Sequence, residues 1–176
     1  MRFDETPIPG VFVVDLEPHA DERGFFARAF CAREFAEHGL VPRLVQANLA
    51  YSTLAGTTRG LHYQAPSHPE AKFFRTIRGE TFNVAVDMRE GSATFGRWTG
   101  VVLSAENHRA LYLPPMCAAG YQTLTADAEI LYSVSGFYAP QAERGVRHND
   151  PMLGIDWPLE PTVVSDKDRS WPLLRA

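Results

Sequence analysis

From Val11 to Val134 the sequence breaks into short runs in which apolar and polar residues alternate, each ended by Gly, Pro, Asn or Asp before it reaches helical length. A run of that kind cannot bury itself alone, and many in series close into a sandwich or barrel. In Glu80–Asp87, Phe82, Val84 and Val86 point one way and Thr81, Asn83, Ala85 and Asp87 the other, the period of a half-buried strand. The same reading applies to Val11–Leu16, Gly24–Phe30, Leu44–Ser52, Leu61–Gln64, Lys72–Ile77, Trp98–Leu103, Arg109–Leu113, Gly120–Thr125 and Glu129–Val134. Only Ala32–His38 competes as a helix, with Gly39 placed to end it. That is too little helix for alternating βαβ units, so an all-β sandwich or barrel in one domain is expected. Arg78-Gly79-Glu80 and Ala126-Asp127 read as hairpin reversals, and Pro114-Pro115 breaks the chain. Beyond Pro140 a Pro- and Asp-rich tail is expected to lie over the sheets, pinned by Trp157 and Trp171.

Charge narrows the partners. Seventeen Lys and Arg against 21 Asp and Glu leave a net charge of −4 over 176 residues. A broad nucleic-acid or anionic-membrane surface is not expected, while a local basic pocket for a small anion remains open. Cys31 and Cys117 fit no ligand spacing and read as buried free thiols in a reducing compartment. With no signal-like or membrane-spanning run, a soluble cytoplasmic protein is expected.

Metal chemistry is the first test of an all-β chain. A cupin-type centre needs converging imidazoles, but His62 is followed at the two-residue spacing by Gln64, and the turn from Pro114 to Gly120 holds no histidine. No metal site is expected, and His68 and Glu70 read as solvated loop residues. TTRGLHYQ, Thr57–Gln64, is unusual in setting Arg59 and His62 among apolar neighbours. Lys72 in AKFFRTIRG and Tyr132 in Glu129–Val134 are two further anomalies. Each alone is more often structural than catalytic.

Ten motifs together carry more than any one. DERGFF (Asp21–Phe26), Gln46-Ala47-Asn48, TRGLHYQ, GETFNVAVDMR (Gly79–Arg89), TFGRW (Thr94–Trp98), LSAEN (Leu103–Asn107), LPP (Leu113–Pro115), GFYAP (Gly136–Pro140), NDP (Asn149–Pro151) and SDKD (Ser165–Asp168) follow one another across the chain. In order and spacing the sequence resembles the dTDP-4-dehydrorhamnose 3,5-epimerase family. The resemblance implies a double-stranded jelly roll, usually a homodimer, that needs no metal or cofactor. Its substrate would be a nucleotide-diphosphate-linked 4-keto-6-deoxy sugar, epimerised at C3, C5 or both. A C–H beside a ketone is acidified because its loss gives an enolate, so such an enzyme needs a base on one face, a cation or donor at the oxyanion, and an acid on the other face.

By this resemblance His62 matches the base, Asp168 the carboxylate that orients its ring, Lys72 the group near the keto oxygen and Tyr132 the proton donor on the opposite face. Arg23 and Arg59 match diphosphate-holding positions, suited to paired guanidinium–phosphate hydrogen bonds. Gln46, Asn48, Glu143 and Lys167 match other substrate contacts, and Tyr138 is expected to line the nucleotide pocket. Three departures stand out: Arg28 where the family pattern has Glu, Ala47 where it has Asp, and Ala119 where it has His. Two acidic groups and one imidazole are thereby expected to be missing from the substrate face, with Arg28 engaging a phosphate or acidic sugar group, or else pairing with a neighbouring carboxylate. The competing readings are a non-catalytic nucleotide-sugar binder and a single-centre epimerase or ketoisomerase on another nucleotide sugar.

Overall fold

The structure, a computed structural model, describes residues 1–174. Its elements in chain order are β1 (Arg2–Glu5), β2 (Phe12–Asp15), β3 (His19–Asp21), β4 (Gly24–Phe26), α1 (Ala32–Glu37), β5 (Gln46–Ser52), β6 (Thr58–Gln64), β7 (Lys72–Arg78), β8 (Glu80–Asp87), β9 (Trp98–Ser104), β10 (Ala110–Leu113), β11 (Cys117–Thr123), β12 (Ala128–Val134), β13 (Glu143–Gly145) and α2 (Asp166–Ser170). The larger sheet runs β1-β2-β10-β7-β12-β5 and the smaller β13-β6-β11-β8-β9, while β3 and β4 form a separate hairpin. The paired strands are antiparallel, and the fold is the cupin-like jelly roll.

Three apolar layers hold it together. Between the sheets lie Ile8, Val11, Phe74, Ala85, Leu103, Leu111, Leu113, Ala119, Tyr121 and Ile130. Outside the larger sheet α1 packs Phe35 into a nest of Phe3, Phe30, Phe73 and Tyr112, with ring centroids 4.8–5.7 Å apart. Burying a side chain of that size contributes about 1.5–3 kcal/mol. The helix ends as the sequence implies: Gly39 takes a φ of 71° and the Leu40 N–H returns to the Phe35 carbonyl.

Outside the smaller sheet the C-terminal segment covers Leu61, Val84, Val86 and Ala118 with Val146, Leu153 and Trp157. β8 is therefore buried on both faces rather than half-buried, because the tail lies on the face that alternation alone would leave to water. Trp157 packs edge-on to Phe82 and donates its indole N–H to the His148 carbonyl.

Several local expectations are corrected. Gly79 joins β7 of the larger sheet to β8 of the smaller, and Asp127 joins β11 to β12 in the same way. Both turns carry the chain between sheets instead of closing hairpins, although each has the positive φ of a tight reversal, 69° and 54°. β6 starts at Thr58 and β11 at Cys117, three residues earlier than expected, whereas β4 stops at Phe26. Cys31 is partly exposed at the start of α1, where its side chain makes no capping hydrogen bond; Cys117 is buried, and burial pushes its thiol up to about 12.

Candidate active site

At one end of the sandwich the sheets part into a cleft of about 430 Å³ that continues into an inner chamber of about 210 Å³, both bordered by His62, Lys72 and Tyr132. The strand register builds the larger-sheet wall. Val134 pairs with Gln46 on one side and Lys72 on the other, and Tyr132 with Asn48 and Phe74. Two cross-strand rows thus present Gln46 and Lys72, then Asn48, Tyr132 and Phe74, to the interior. The Tyr132 ring stacks on Phe74 at 5.1 Å.

The facing wall is β6, and a bulge sets its chemistry. Ala119 pairs with His62 but Tyr121 with Arg59, so between these pairs Gly60 and Leu61 of β6 oppose the single Gly120 of β11. The additional residue cancels one alternation, which brings Arg59 and His62 to the same chamber. Gly60, inside the bulge, has a φ of 107°, and a Cβ there would come within 2.6 Å of the Ala119 carbonyl oxygen. No other residue type fits that backbone without displacing β11.

His62 meets Asp168 across 106 residues of chain: Nε2 lies 2.5 Å from Oδ1. The second carboxylate oxygen accepts the Gly60 N–H at 3.1 Å, and the Ser165 side chain caps α2 by accepting the Asp168 N–H. Asp168 is 4% exposed. Burial pushes its carboxyl up, but the His62 imidazole, the Gly60 amide and Ser165 outweigh it and hold the group below the usual carboxylate range. An ionised Asp168 keeps the proton on Nε2, which leaves the Nδ1 lone pair to accept one. Trp171 packs edge-on to the His62 ring at 6.1 Å.

On the opposite wall Lys72 forms an ion pair with Glu70, and both are largely buried. Tyr132 is raised above the ordinary phenol range, first by burial, then by the Glu70 charge, against the opposing pull of Arg59. At the rim Lys167 pairs with Glu143 at 2.6 Å, Tyr138 donates its hydroxyl to Glu143 at 3.0 Å, and the Gln46 side-chain oxygen accepts the Tyr138 N–H at 2.8 Å. The Arg59 guanidinium donates to the Tyr51 carbonyl at 3.2 Å and is exposed.

The cleft thus gathers His62, Asp168, Lys72, Tyr132, Gln46, Asn48, Arg59, Tyr138, Glu143 and Lys167. It does not gather Arg23 or Arg28 within one chain. Arg23 pairs with Asp21 on the exposed β3–β4 hairpin. Arg28 borders a surface hollow with Met1, Glu17 and Glu34, where its charge acts on the Glu34 carboxylate. Of the three departures only Ala119 borders the chamber. Ala47 alternates with Gln46 and Asn48, so it faces outward with Leu49 and Tyr51, and the expected charge change on the substrate face does not arise there.

Glu70 corrects a further expectation: it is 6% exposed and lines the cleft instead of lying in solvent. Its signal was the two-residue spacing to Lys72, which puts both on one face of an extended segment. Gln64, named above only as a position without a metal-binding imidazole, also shapes the site. Its buried amide accepts the Ala139 N–H at 2.7 Å and donates to the Phe137 carbonyl at 3.2 Å, which fixes the loop bearing Tyr138. Among the described residues no three His, Cys, Asp or Glu side chains are grouped as metal ligands, and no helix is long and apolar enough to cross a membrane.

With this geometry in hand, the likeness to known proteins is specific. The sequence model of the dTDP-4-dehydrorhamnose 3,5-epimerase family matches residues 5–176. The dTDP-4-dehydrorhamnose 3,5-epimerase of Methanothermobacter thermautotrophicus is 42% identical over 99% of this chain and 95% of its own. The crystal structure of the dTDP-6-deoxy-D-glucose-3,5-epimerase of Legionella pneumophila in complex with dTDP-4-keto-L-rhamnose superposes with a TM-score of 0.91 at 40% identity, covering 98% of this chain and 92% of that one. A 3'-monoepimerase from Streptomyces bikiniensis in complex with dTDP-quinovose superposes with a TM-score of 0.87 at 37% identity, covering 96% and 85%.

Proposed function

The chain belongs to the dTDP-4-dehydrorhamnose 3,5-epimerase family, and from that premise we propose that it inverts carbons beside the C4 ketone of a dTDP-linked 4-keto-6-deoxy sugar by moving protons between the two walls of its cleft. The protein is an epimerase, an enzyme of the isomerase class. The observation that carries the mechanism is the placement of His62 on the smaller sheet and Tyr132 on the larger, bordering one chamber from opposite sides. His62, held by Asp168, removes the proton from the carbon; the electron pair moves onto the C4 oxygen, where the Lys72 ammonium stabilises it. Tyr132 then returns a proton from the opposite face, which inverts the centre.

Arg59 holds the diphosphate, and Gln46, Asn48, Glu143 and Lys167 contact the rest of the substrate, with Tyr138 beside the nucleotide. Arg23 joins them from a second copy. The separate β3–β4 hairpin that carries it leaves Phe25 and Phe26 49% and 72% exposed, and Leu49, Leu131 and Ile77 are exposed on the outer face of the larger sheet. Apolar surface of that kind suits a homodimer. The free thiols Cys31 and Cys117 support a cytoplasmic location.

The test is incubation with dTDP-4-keto-6-deoxyglucose in deuterium oxide, followed by NMR of the sugar. Deuterium at C3 and C5 with inversion is the expected result, and substrate bound but unexchanged is what a non-catalytic binder would give. Ala119 beside the base, together with the similarity to a 3'-monoepimerase, favours one second reading, inversion at a single centre. Deuterium at one carbon alone would select it.

A further inference from the structure

Glu70 stands just before β7, in a stretch whose backbone leaves it little freedom. The Ser135 N–H donates to the Ala71 carbonyl at 3.0 Å, and the Ala71 N–H donates to the Ser135 hydroxyl at 2.8 Å. Gly136 lies so close to Pro69 that a Cβ would come within 2.8 Å of its carbonyl oxygen. Held this way, the Glu70 side chain is 4% exposed, meets the Lys72 ammonium, and lines the cleft. A carboxylate in the wall of a pocket for a diphosphate-linked sugar opposes substrate binding, so its placement against a single ammonium needs a reason other than affinity.

We propose that Glu70 is a positioning residue for the epimerisation: it holds the Lys72 ammonium at the wall where the C4 oxygen lies and keeps a negative charge beside the Tyr132 phenol. This rests on the roles given to Lys72 and Tyr132 above. Lysine is a long side chain with many rotamers, and a carboxylate anchored by backbone on both sides removes much of that freedom before substrate arrives. The second effect is on the acid. Facing Tyr132 are Glu70 and Lys72 from the β7 side, Arg59 and His62 from β6, and Tyr121 from β11. After burial, Glu70 is the strongest influence raising the phenol, with Arg59 opposing it, so Glu70 adds to burial in favouring the protonated phenol and extends that form to higher pH.

The experiment compares Glu70→Gln and Glu70→Asp with the wild type in steady-state turnover of dTDP-4-keto-6-deoxyglucose across pH, with dTDP affinity by calorimetry and thermal unfolding measured alongside. Glu70→Gln is expected to bind dTDP at least as tightly as the wild type, to lose about tenfold or more in kcat, and to show the alkaline limb of its kcat profile displaced to lower pH. Glu70→Asp, which retains the charge, is expected to recover part of kcat and to keep the limb at its wild-type position. An unmoved limb in Glu70→Gln, or kcat within twofold of wild type, would overturn the proposal while leaving the epimerase reading intact. A wild-type protein that exchanges no deuterium would overturn both.

Discussion

Replacing Asp168 by Asn isolates what the carboxylate does for His62. The side chain keeps its shape, but its two oxygens now serve both the His62 Nε2 at 2.5 Å and the Gly60 N–H at 3.1 Å, and an amide offers only one acceptor. In the variant one of those partners faces an NH2 group. Whichever it is, the charge-assisted bond that fixes the Nε2–H tautomer is lost, at about 1.5–3 kcal/mol. Through the transition-state relation that is roughly ten- to 150-fold in proton abstraction. The assay is the rate of deuterium wash-in to dTDP-4-keto-6-deoxyglucose, with dTDP affinity as the control for folding. Stability follows the same carboxyl. Its folded value lies below the ordinary 3.8, so its contribution is present above the unfolded value and disappears as pH falls through the folded one. The stability gap between wild type and Asp168→Asn is therefore expected to narrow below about pH 4. Wash-in within twofold of wild type, or a gap that widens on acidification, would refute the reasoning.

Gly60→Ala is expected to lower stability by about 2 kcal/mol or more, read from denaturant midpoints, because it combines positive φ with the approach of β11. Gly24→Ala, also at positive φ but with open space around it, is expected to cost less. Activity is expected to survive exhaustive chelation, since Gln64 is engaged by the 137–139 loop and Ala119 offers no ligand; loss restored by one divalent ion would reverse that view. Ala119→His narrows the chamber beside His62 and is expected to change the rate or the ratio of one-centre to two-centre products by NMR. Unchanged rate and products would show that the chamber is indifferent to that position.

Period-two alternation makes the jelly roll legible in the sequence, and it also sorts side chains between the two faces of a strand. Applied to Gln46-Ala47-Asn48, it already puts Ala47 on the outer face, away from the substrate. What alternation cannot supply is the destination of a turn: Gly79 and Asp127 have reversal chemistry, yet both lead to the other sheet, a choice made by long-range pairing. The burial of Val84 and Val86 depends on a tail more than 60 residues further on, and so was invisible locally. The His62–Asp168 contact is likewise non-local; the family resemblance pointed to it, and no spacing rule would have. Prolines beside a polar stretch ordinarily signal a solvated loop, and Pro69 is exposed as that rule implies, but its carbonyl lies close against Gly136 and the next side chain, Glu70, is buried in the cleft wall.

The central claim is that one proton leaves toward the smaller sheet and another arrives from the larger. The most direct measurement is the ratio of deuterium exchange to inversion in Tyr132→Phe and His62→Ala, each with dTDP-4-keto-6-deoxyglucose in deuterium oxide. Tyr132→Phe is expected to keep measurable exchange with retained configuration while inversion falls steeply, because His62 still removes and returns the proton on its own face, and His62→Ala is expected to lose both. If Tyr132→Phe inverts as readily as it exchanges, or if His62→Ala retains near-normal activity, the two-wall account is contradicted.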